Sequence, residues 1–186
     1  MKVAFVHIPK TGGATIYRWW HLNFKDSDFQ IIRNQHLFLN SITEPYDTSF
    51  TITRNTYDKL ISLYVFQKFK CHQKIRKGYN VSWYENILNI WNKGIIYYLK
   101  YSLENNFNGV TSQLDYIDGV EHIFSTENLK NDFKKIQKWA NTNVPLTIDV
   151  HVQSYNKRDF MTPEYIKFVE THFSKEIEYF NYSPNL

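Results

Sequence analysis

The run V-A-F-V-H-I-P-K-T-G-G-A-T, Val3 to Thr15, limits what this chain can be more than any other stretch. An apolar, strand-like segment stops at Pro9, passes through Lys10-Thr11-Gly12-Gly13 and enters the amphipathic pattern Ile16 to Leu22. That is the sequence form of a strand, an anion-holding turn and a helix. Gly12 and Gly13 lack a Cβ, so the backbone can curl until successive N–H groups face an oxyanion. The helix that follows adds unpaired amides and the positive end of its dipole. Lys10 adds a cation, and Thr11 and Thr15 add hydroxyls. A ligand carrying phosphate or a similar group is expected. The lysine precedes the glycine pair, unlike the order G-x-x-x-x-G-K-[ST], which weakens a standard nucleoside-triphosphatase reading. A plain tight turn between strand and helix is the competing explanation.

A second corner of the same kind follows. Ser49 to Thr53, S-F-T-I-T, alternates as a strand and runs into Arg54-Asn55-Thr56-Tyr57-Asp58, after which Leu60, Ile61, Leu63 and Tyr64 keep helical spacing. Asn55 is a natural N-cap with Asp58 in the first turn. Arg54 then sits at a strand end and Ser62 lies about two turns into the helix. Taken singly, Arg54 reads as a surface ion-pair residue and Ser62 as a small packing residue; two anion corners in one chain favour function.

Between the corners, Phe29 to Ile32 reads as a short strand followed by Arg33-Asn34-Gln35-His36. In open α/β sheets the carboxyl ends of the strands line the ligand crevice, so His36 is weighed as a catalytic base against a surface or structural histidine. Further on, helices are expected over Ser82 to Lys93, Ile95 to Phe107, Glu127 to Trp139, from Pro163 onward behind the Thr162 cap, and from Ser174 to Phe180, with a strand at His122 to Ser125. The basic stretch Phe66 to Asn80 reads as a solvated helix end and loop, or as one wall of a cleft for an acidic acceptor. Without repeats or low-complexity linkers, the consistent expectation is α/β, one P-loop-like domain over residues 1–186, with a short parallel sheet flanked by helices.

Composition narrows the class. The 186 residues include 14 Tyr, 14 Phe and 5 Trp, so much of the core is ring packing. A formal charge of +4, with no block of cations and no known reading motif, gives no reason to expect nucleic acid. Cys71 is the single cysteine, which excludes an intrachain disulfide and a Cys-rich metal site. With no leader pattern and no apolar run of membrane-spanning length, a cytoplasmic, soluble protein without a membrane span is expected.

Together the two corners resemble sulfotransferases that use 3′-phosphoadenosine 5′-phosphosulfate, and among them the carbohydrate sulfotransferase branch. That branch carries a pattern like H-I-P-K-T-G-G-[ST]-[ST], matched here by His7 to Thr15, and one like [FV]-x-R-[ND]-P-[WY]-[DE]-R-[LF]-x-S-x-[YF], matched by Ile52 to Tyr64. Later landmarks follow in the family's order: Ser112 to Ile117, Ile123 to Leu129 with Asp132-Phe133, and Thr162-Pro163-Glu164 with Ile177 to Tyr182. Ala14 stands where the family usually has Ser or Thr, Thr56 replaces proline, and Lys59 replaces arginine. His151 to Phe160 looks like a shortened form of the family's basic loop near the cofactor.

The resemblance implies a sulfuryl transfer from 3′-phosphoadenosine 5′-phosphosulfate to a hydroxyl, by family branch a carbohydrate hydroxyl, leaving adenosine 3′,5′-bisphosphate, without a metal. Lys10, Thr11, Gly12, Gly13, Ala14 and Thr15 would hold the phosphosulfate, and Arg54 with Ser62 the 3′-phosphate. Lys10 would also neutralise charge on the bridging oxygen. His36 would be the base, with His151 in reserve and His7 supporting the loop. Gln113 and Tyr116 would help shape the acceptor site. Two rivals remain open: a non-catalytic nucleotide- or sugar-binding module, and a phosphoryl transferase such as a kinase. The latter would need a metal-binding carboxylate near the loop, and no strand end offers an obvious one in the sequence.

Overall fold

In a computed structural model the chain is described over residues 1–36, 38–106, 109–146 and 155–184. Its packing divides into two units, one built from Met1–Asn55 and the segment beginning at Ser112, the other from Thr56–Thr111 and the C-terminal part of the chain.

The first unit holds four strands, β1 (Lys2–His7), β2 (Gln30–Gln35), β3 (Thr48–Thr53) and β4 (His122–Ser125), all parallel in the order β2-β1-β3-β4. β1 is central and buried from Val3 to His7, the continuous burial typical of a strand covered on both faces. Val3 and Phe5 face α1 (Gly13–Phe24) and α6 (Leu129–Trp139), which contribute Ile16, Trp19, Trp20, Phe133 and Ile136 to one core. Those positions recur at helical spacing, so each helix buries one stripe. Rings set the packing: Phe5 stacks on Phe50 at 4.5 Å between centroids, and Trp19 meets Phe133 edge-on at 4.8 Å. On the other face Val6 and Ile8 pack with Tyr116 of the short α5 (Leu114–Ile117), Leu39 and Val120.

β3 alternates apolar and hydroxyl residues, yet all six of its residues are buried. The hydroxyls bond to neighbouring strands or their flanks. Thr51 Oγ1 donates to the Val6 carbonyl at 2.7 Å, Thr53 Oγ1 to the Phe124 carbonyl at 3.1 Å, and Ser49 Oγ accepts from the Glu121 amide at 3.0 Å.

β2 extends to Gln35, past the Ile32 expected from the sequence, so His36 follows the strand directly. Parallel pairing of His7 with Gln35 carries the ladder through the polar residues 33–35, where hydropathy alone gives no strand signal. The α5 turn was likewise not anticipated; its four residues are too few to show a period.

In the second unit, α2 (Thr56–Arg76), α3 (Val81–Trp91), α4 (Ile95–Glu104) and α7 (Pro163–His172) enclose a core that includes Leu60, Ile61, Leu99, Tyr165 and Val169; α8 (Ser174–Phe180) follows α7. Thr162 caps α7 by accepting from the Tyr165 amide at 3.2 Å, with Pro163 at the first position, as its sequence signal implies. The start of α2 is polar and buried. Lys59 Nζ donates to the Thr111 carbonyl at 2.9 Å, the Thr56 hydroxyl donates to Glu176, and Asp58 pairs with Lys157.

Burial pushes the Cys71 thiol up to about 11 and raises the Tyr98 and Tyr165 phenols above their ordinary values. The folded state therefore keeps these protons where the unfolded chain releases them. Their contribution to stability is complete below the ordinary thiol value of 9.0 and is lost as pH rises toward about 11. Urea midpoints measured from pH 8 to 10.5 should fall with pH, less steeply in Cys71→Ala, and tyrosinate absorbance should report Tyr98 and Tyr165 only as the protein unfolds.

Candidate anion-binding site at the strand ends

The chain leaves β1 on one side of the sheet toward β2 and returns on the other side as β3. The adjacent carboxyl ends of β1 and β3 therefore mark the point where strand order reverses, where open α/β sheets bind ligands. Both sequence-predicted corners, Lys10 to Thr15 and Arg54, leave from those two ends.

After β1, Pro9 lacks the N–H that would continue the ladder. Lys10 and Gly12 both take left-handed backbone conformations, with φ of 68° and 87°. For Lys10 that geometry costs on the order of 1–3 kcal/mol and persists only when its surroundings impose it. The surroundings are specific. Arg54 Nη1 donates to the Lys10 carbonyl at 3.1 Å, Thr126 Oγ1 donates to the Thr11 carbonyl at 2.8 Å, and the buried Thr11 hydroxyl turns back to the Ile8 carbonyl at 2.9 Å. Every described peptide is trans, so the Thr11 and Gly12 N–H groups point opposite to those two anchored carbonyls. Thr15 closes the turn by donating its amide to the Gly12 carbonyl at 2.9 Å, and the first turn of α1 carries no acidic residue. An anion there meets an uncompensated dipole.

The two glycines are required for different reasons. Gly12 has room for a Cβ, whose nearest neighbour would be Leu129 at 3.8 Å, but its backbone is left-handed. Gly13 already belongs to α1, and a Cβ there would lie 2.2 Å from the His7 ring and 2.7 Å from Phe5. Only the first is glycine for the sake of the curled backbone. The second lets the helix approach the strand.

His7 is buried, and its ring lies 5.0 Å from that of His36, which follows β2 with φ of 60° and is exposed. Thus the ends of β1 and β2 bring the two histidines together, with His7 beside Gly13.

At the end of β3 the Arg54 backbone is clasped by Gln113: its amide donates to Gln113 Oε1 at 2.8 Å, and Gln113 Nε2 donates to its carbonyl at 2.8 Å. Gln113 is fully buried, so its bearing on a bound molecule runs through Arg54. The half-buried Arg54 guanidinium meets one acceptor, the Lys10 carbonyl, and no carboxylate among the described residues. Its remaining N–H donors meet no acceptor among the described residues.

Beyond β4, Thr126 also reaches the Thr53 carbonyl at 2.9 Å, and Glu127 accepts from the Asn55 amide at 2.7 Å. Glu127 is exposed and places a carboxylate two residues past the end of β4. Neither Thr126 nor Glu127 was singled out from the sequence as part of the site, although the strand-end rule applied to His122–Ser125 points at both.

The other expected residues divide. Ala14 is exposed and Thr15 buried in the first turn of α1. Tyr116 is a core residue, its ring 5.1 Å from Phe38. Ser62 lies in the second unit, half-buried on α2, and His151 falls outside the described residues. No group of three or more His, Cys, Asp or Glu side chains gathers among the described residues.

Gly12→Ala should cost about 1–2 kcal/mol through its left-handed backbone, and Gly13→Ala about 1–3 kcal/mol through collision with His7. Equilibrium urea unfolding separates the causes, because Gly13→Ala combined with His7→Ala should recover part of the loss and Gly12→Ala combined with His7→Ala should recover none. Neither a scan against protein-family models nor a search of curated proteins finds a match to this chain.

Proposed function

We propose that this protein is a sulfotransferase of P-loop-like fold, moving a sulfuryl group from 3′-phosphoadenosine 5′-phosphosulfate to a hydroxyl acceptor. The observation that carries the reading is the Arg54 guanidinium at the end of β3, unpaired with any described carboxylate and hydrogen-bonded to the carbonyl of Lys10 in the loop after β1. A ligand with anionic groups at two separate points suits adjoining corners, each with its own cation. The donor set fits as well: a left-handed glycine, a helix start without acidic residues, and guanidinium donors that meet no further acceptor among the described residues.

When bound, this cofactor supplies an activated sulfuryl group. The residues of the chain do the rest. The Lys10 to Thr15 loop would hold the phosphosulfate, with Lys10 offsetting negative charge there, and Arg54 would hold the 3′-phosphate. An imidazole nitrogen of His36 would take the acceptor hydroxyl proton. The buried His7 ring backs His36 and fills the space beside Gly13. A carbohydrate acceptor rests on the resemblance alone.

Glu127 favours a second reading. A carboxylate at the strand ends could hold Mg²⁺ together with ligand phosphates, as a phosphoryl transferase requires. Incubation with sulfur-labelled cofactor and a glycan panel, with and without EDTA, discriminates: label transfer indifferent to EDTA supports sulfuryl transfer, whereas Mg²⁺-dependent transfer from ATP supports the kinase reading.

Calorimetry should show adenosine 3′,5′-bisphosphate binding well and AMP much more weakly, with Arg54→Ala losing on the order of 1.5–3 kcal/mol for the bisphosphate and less for AMP. Equal affinities for the two nucleotides would sink the assignment of Arg54. In steady-state assays His36→Ala should cut turnover by roughly a hundredfold or more while leaving bisphosphate affinity nearly unchanged.

A further inference from the structure

The cations of this chain are not spread evenly. Between Asp58 and Glu85 there is no acidic residue, and the segment holds Lys68, Lys70, Lys74, Arg76 and Lys77 in addition to the buried Lys59. Without those five the formal charge falls from +4 to −1, so the positive excess of the whole chain sits on the last turns of α2 and the residue that follows it. None of the five forms an ion pair with a described residue.

The tip that joins α2 to α3 is rigidly built. Gly78, with φ of 72°, ends α2 in a Schellman arrangement: the Tyr79 amide donates to the Lys74 carbonyl at 3.0 Å and the Gly78 amide to the Ile75 carbonyl at 2.9 Å. The side-chain contact that usually accompanies this motif is here the Lys74 ammonium over the Tyr79 ring, 4.1 Å from its centroid. One residue on, Asn80 Oδ1 accepts from the Trp83 amide at 3.3 Å and starts α3. Tyr79, Val81 and Trp83 are thereby held in solvent, 52%, 39% and 51% exposed. Cations in a last helical turn complement the dipole, which accounts for Lys74 and Arg76 but not for three large apolar side chains left in water beside them.

We propose that the α2–α3 tip docks on an anionic lipid bilayer surface. Rings with basic side chains are the chemistry of the membrane interface: the rings settle at headgroup level and the ammonium and guanidinium groups meet lipid phosphates and carboxylates. A soluble polyanion is the poorer fit. Sugars and bases stack on flat ring faces, but one face of Tyr79 is taken by Lys74 and Val81 offers no face at all. A bilayer interface accepts any apolar side chain. No helix among the described residues is long and apolar enough to cross a membrane, so the contact is peripheral. It stands independently of the strand-end site, all of its residues belonging to the second unit.

The test uses the full chain with vesicles of pure phosphatidylcholine and of phosphatidylcholine with 30% phosphatidylserine. Co-sedimentation is expected with the second only, weakening with added salt. Arg76→Gln with Lys77→Gln should reduce partitioning about 25-fold, at about fivefold per cation near an anionic surface. Brominated lipid should quench tryptophan emission in the wild type and not in Trp83→Ala. Circular dichroism confirms that the variants are folded, and both should keep wild-type bisphosphate binding if that binding occurs. Absence of sedimentation with the phosphatidylserine vesicles overturns the proposal. So does equal capture by dextran sulfate or poly-uridine that is insensitive to Trp83→Ala, which would make the tip a site for soluble polyanions.

Discussion

A loop that places Lys10 and Gly12 in the left-handed region cannot hold that shape alone; two side chains from outside hold it by donating to its carbonyls. Arg54 takes the Lys10 carbonyl and Thr126 takes the Thr11 carbonyl, so the loop after β1 is fixed by residues at the ends of β3 and β4. Because the same guanidinium is the cation of the second corner, the two corners are mechanically one. A group that draws Arg54 toward itself pulls on the carbonyl of Lys10, and a group seated in the loop changes what Arg54 can reach. Coupling of this kind requires only one shared hydrogen bond whose strength depends on both occupants.

Sequence and structure agree where the signal is local. The strand at Val3, the alternation at Ser49 to Thr53, the glycine pair and the Thr162-Pro163 start all carry their instructions within a few residues, and each element formed where those instructions lie. What could not be read is long-range. Six consecutive residues, Arg54 to Lys59, are each tied to a partner 52 to 120 positions away: Gln113, Glu127, Glu176, Tyr165, Lys157 and Thr111 in turn. No window of sequence contains both halves of any such pair. Gln113 therefore reads as a candidate for acceptor contact, and its clasp on a backbone appears only in the fold. For Glu127 the strand-end rule is a local signal, and only its bond to the Asn55 amide lies beyond any window.

The two glycines illustrate a subtler limit. Sequence reasoning gives Gly12 and Gly13 a single purpose, a freely curling backbone, and only Gly12 has the left-handed conformation that uses it. Gly13 is fixed by the thickness of a histidine ring on the preceding strand, a fact about volume that no local pattern encodes. His7 thus limits how closely α1 can approach β1, and with that the position of the amides in the first turn of the helix.

The hydroxyls of β3 carry a further meaning. Because Thr51 and Thr53 each donate to a carbonyl of a different neighbour, while Phe50 and Ile52 between them fill the aromatic core, a slip of one residue would turn hydroxyls into that core and rings away from it. Such a slip would also carry Arg54 about 3.3 Å along the strand direction, out of reach of the Lys10 carbonyl. The alternation S-F-T-I-T therefore works as a vernier, setting where the strand ends relative to its neighbours to within a single residue.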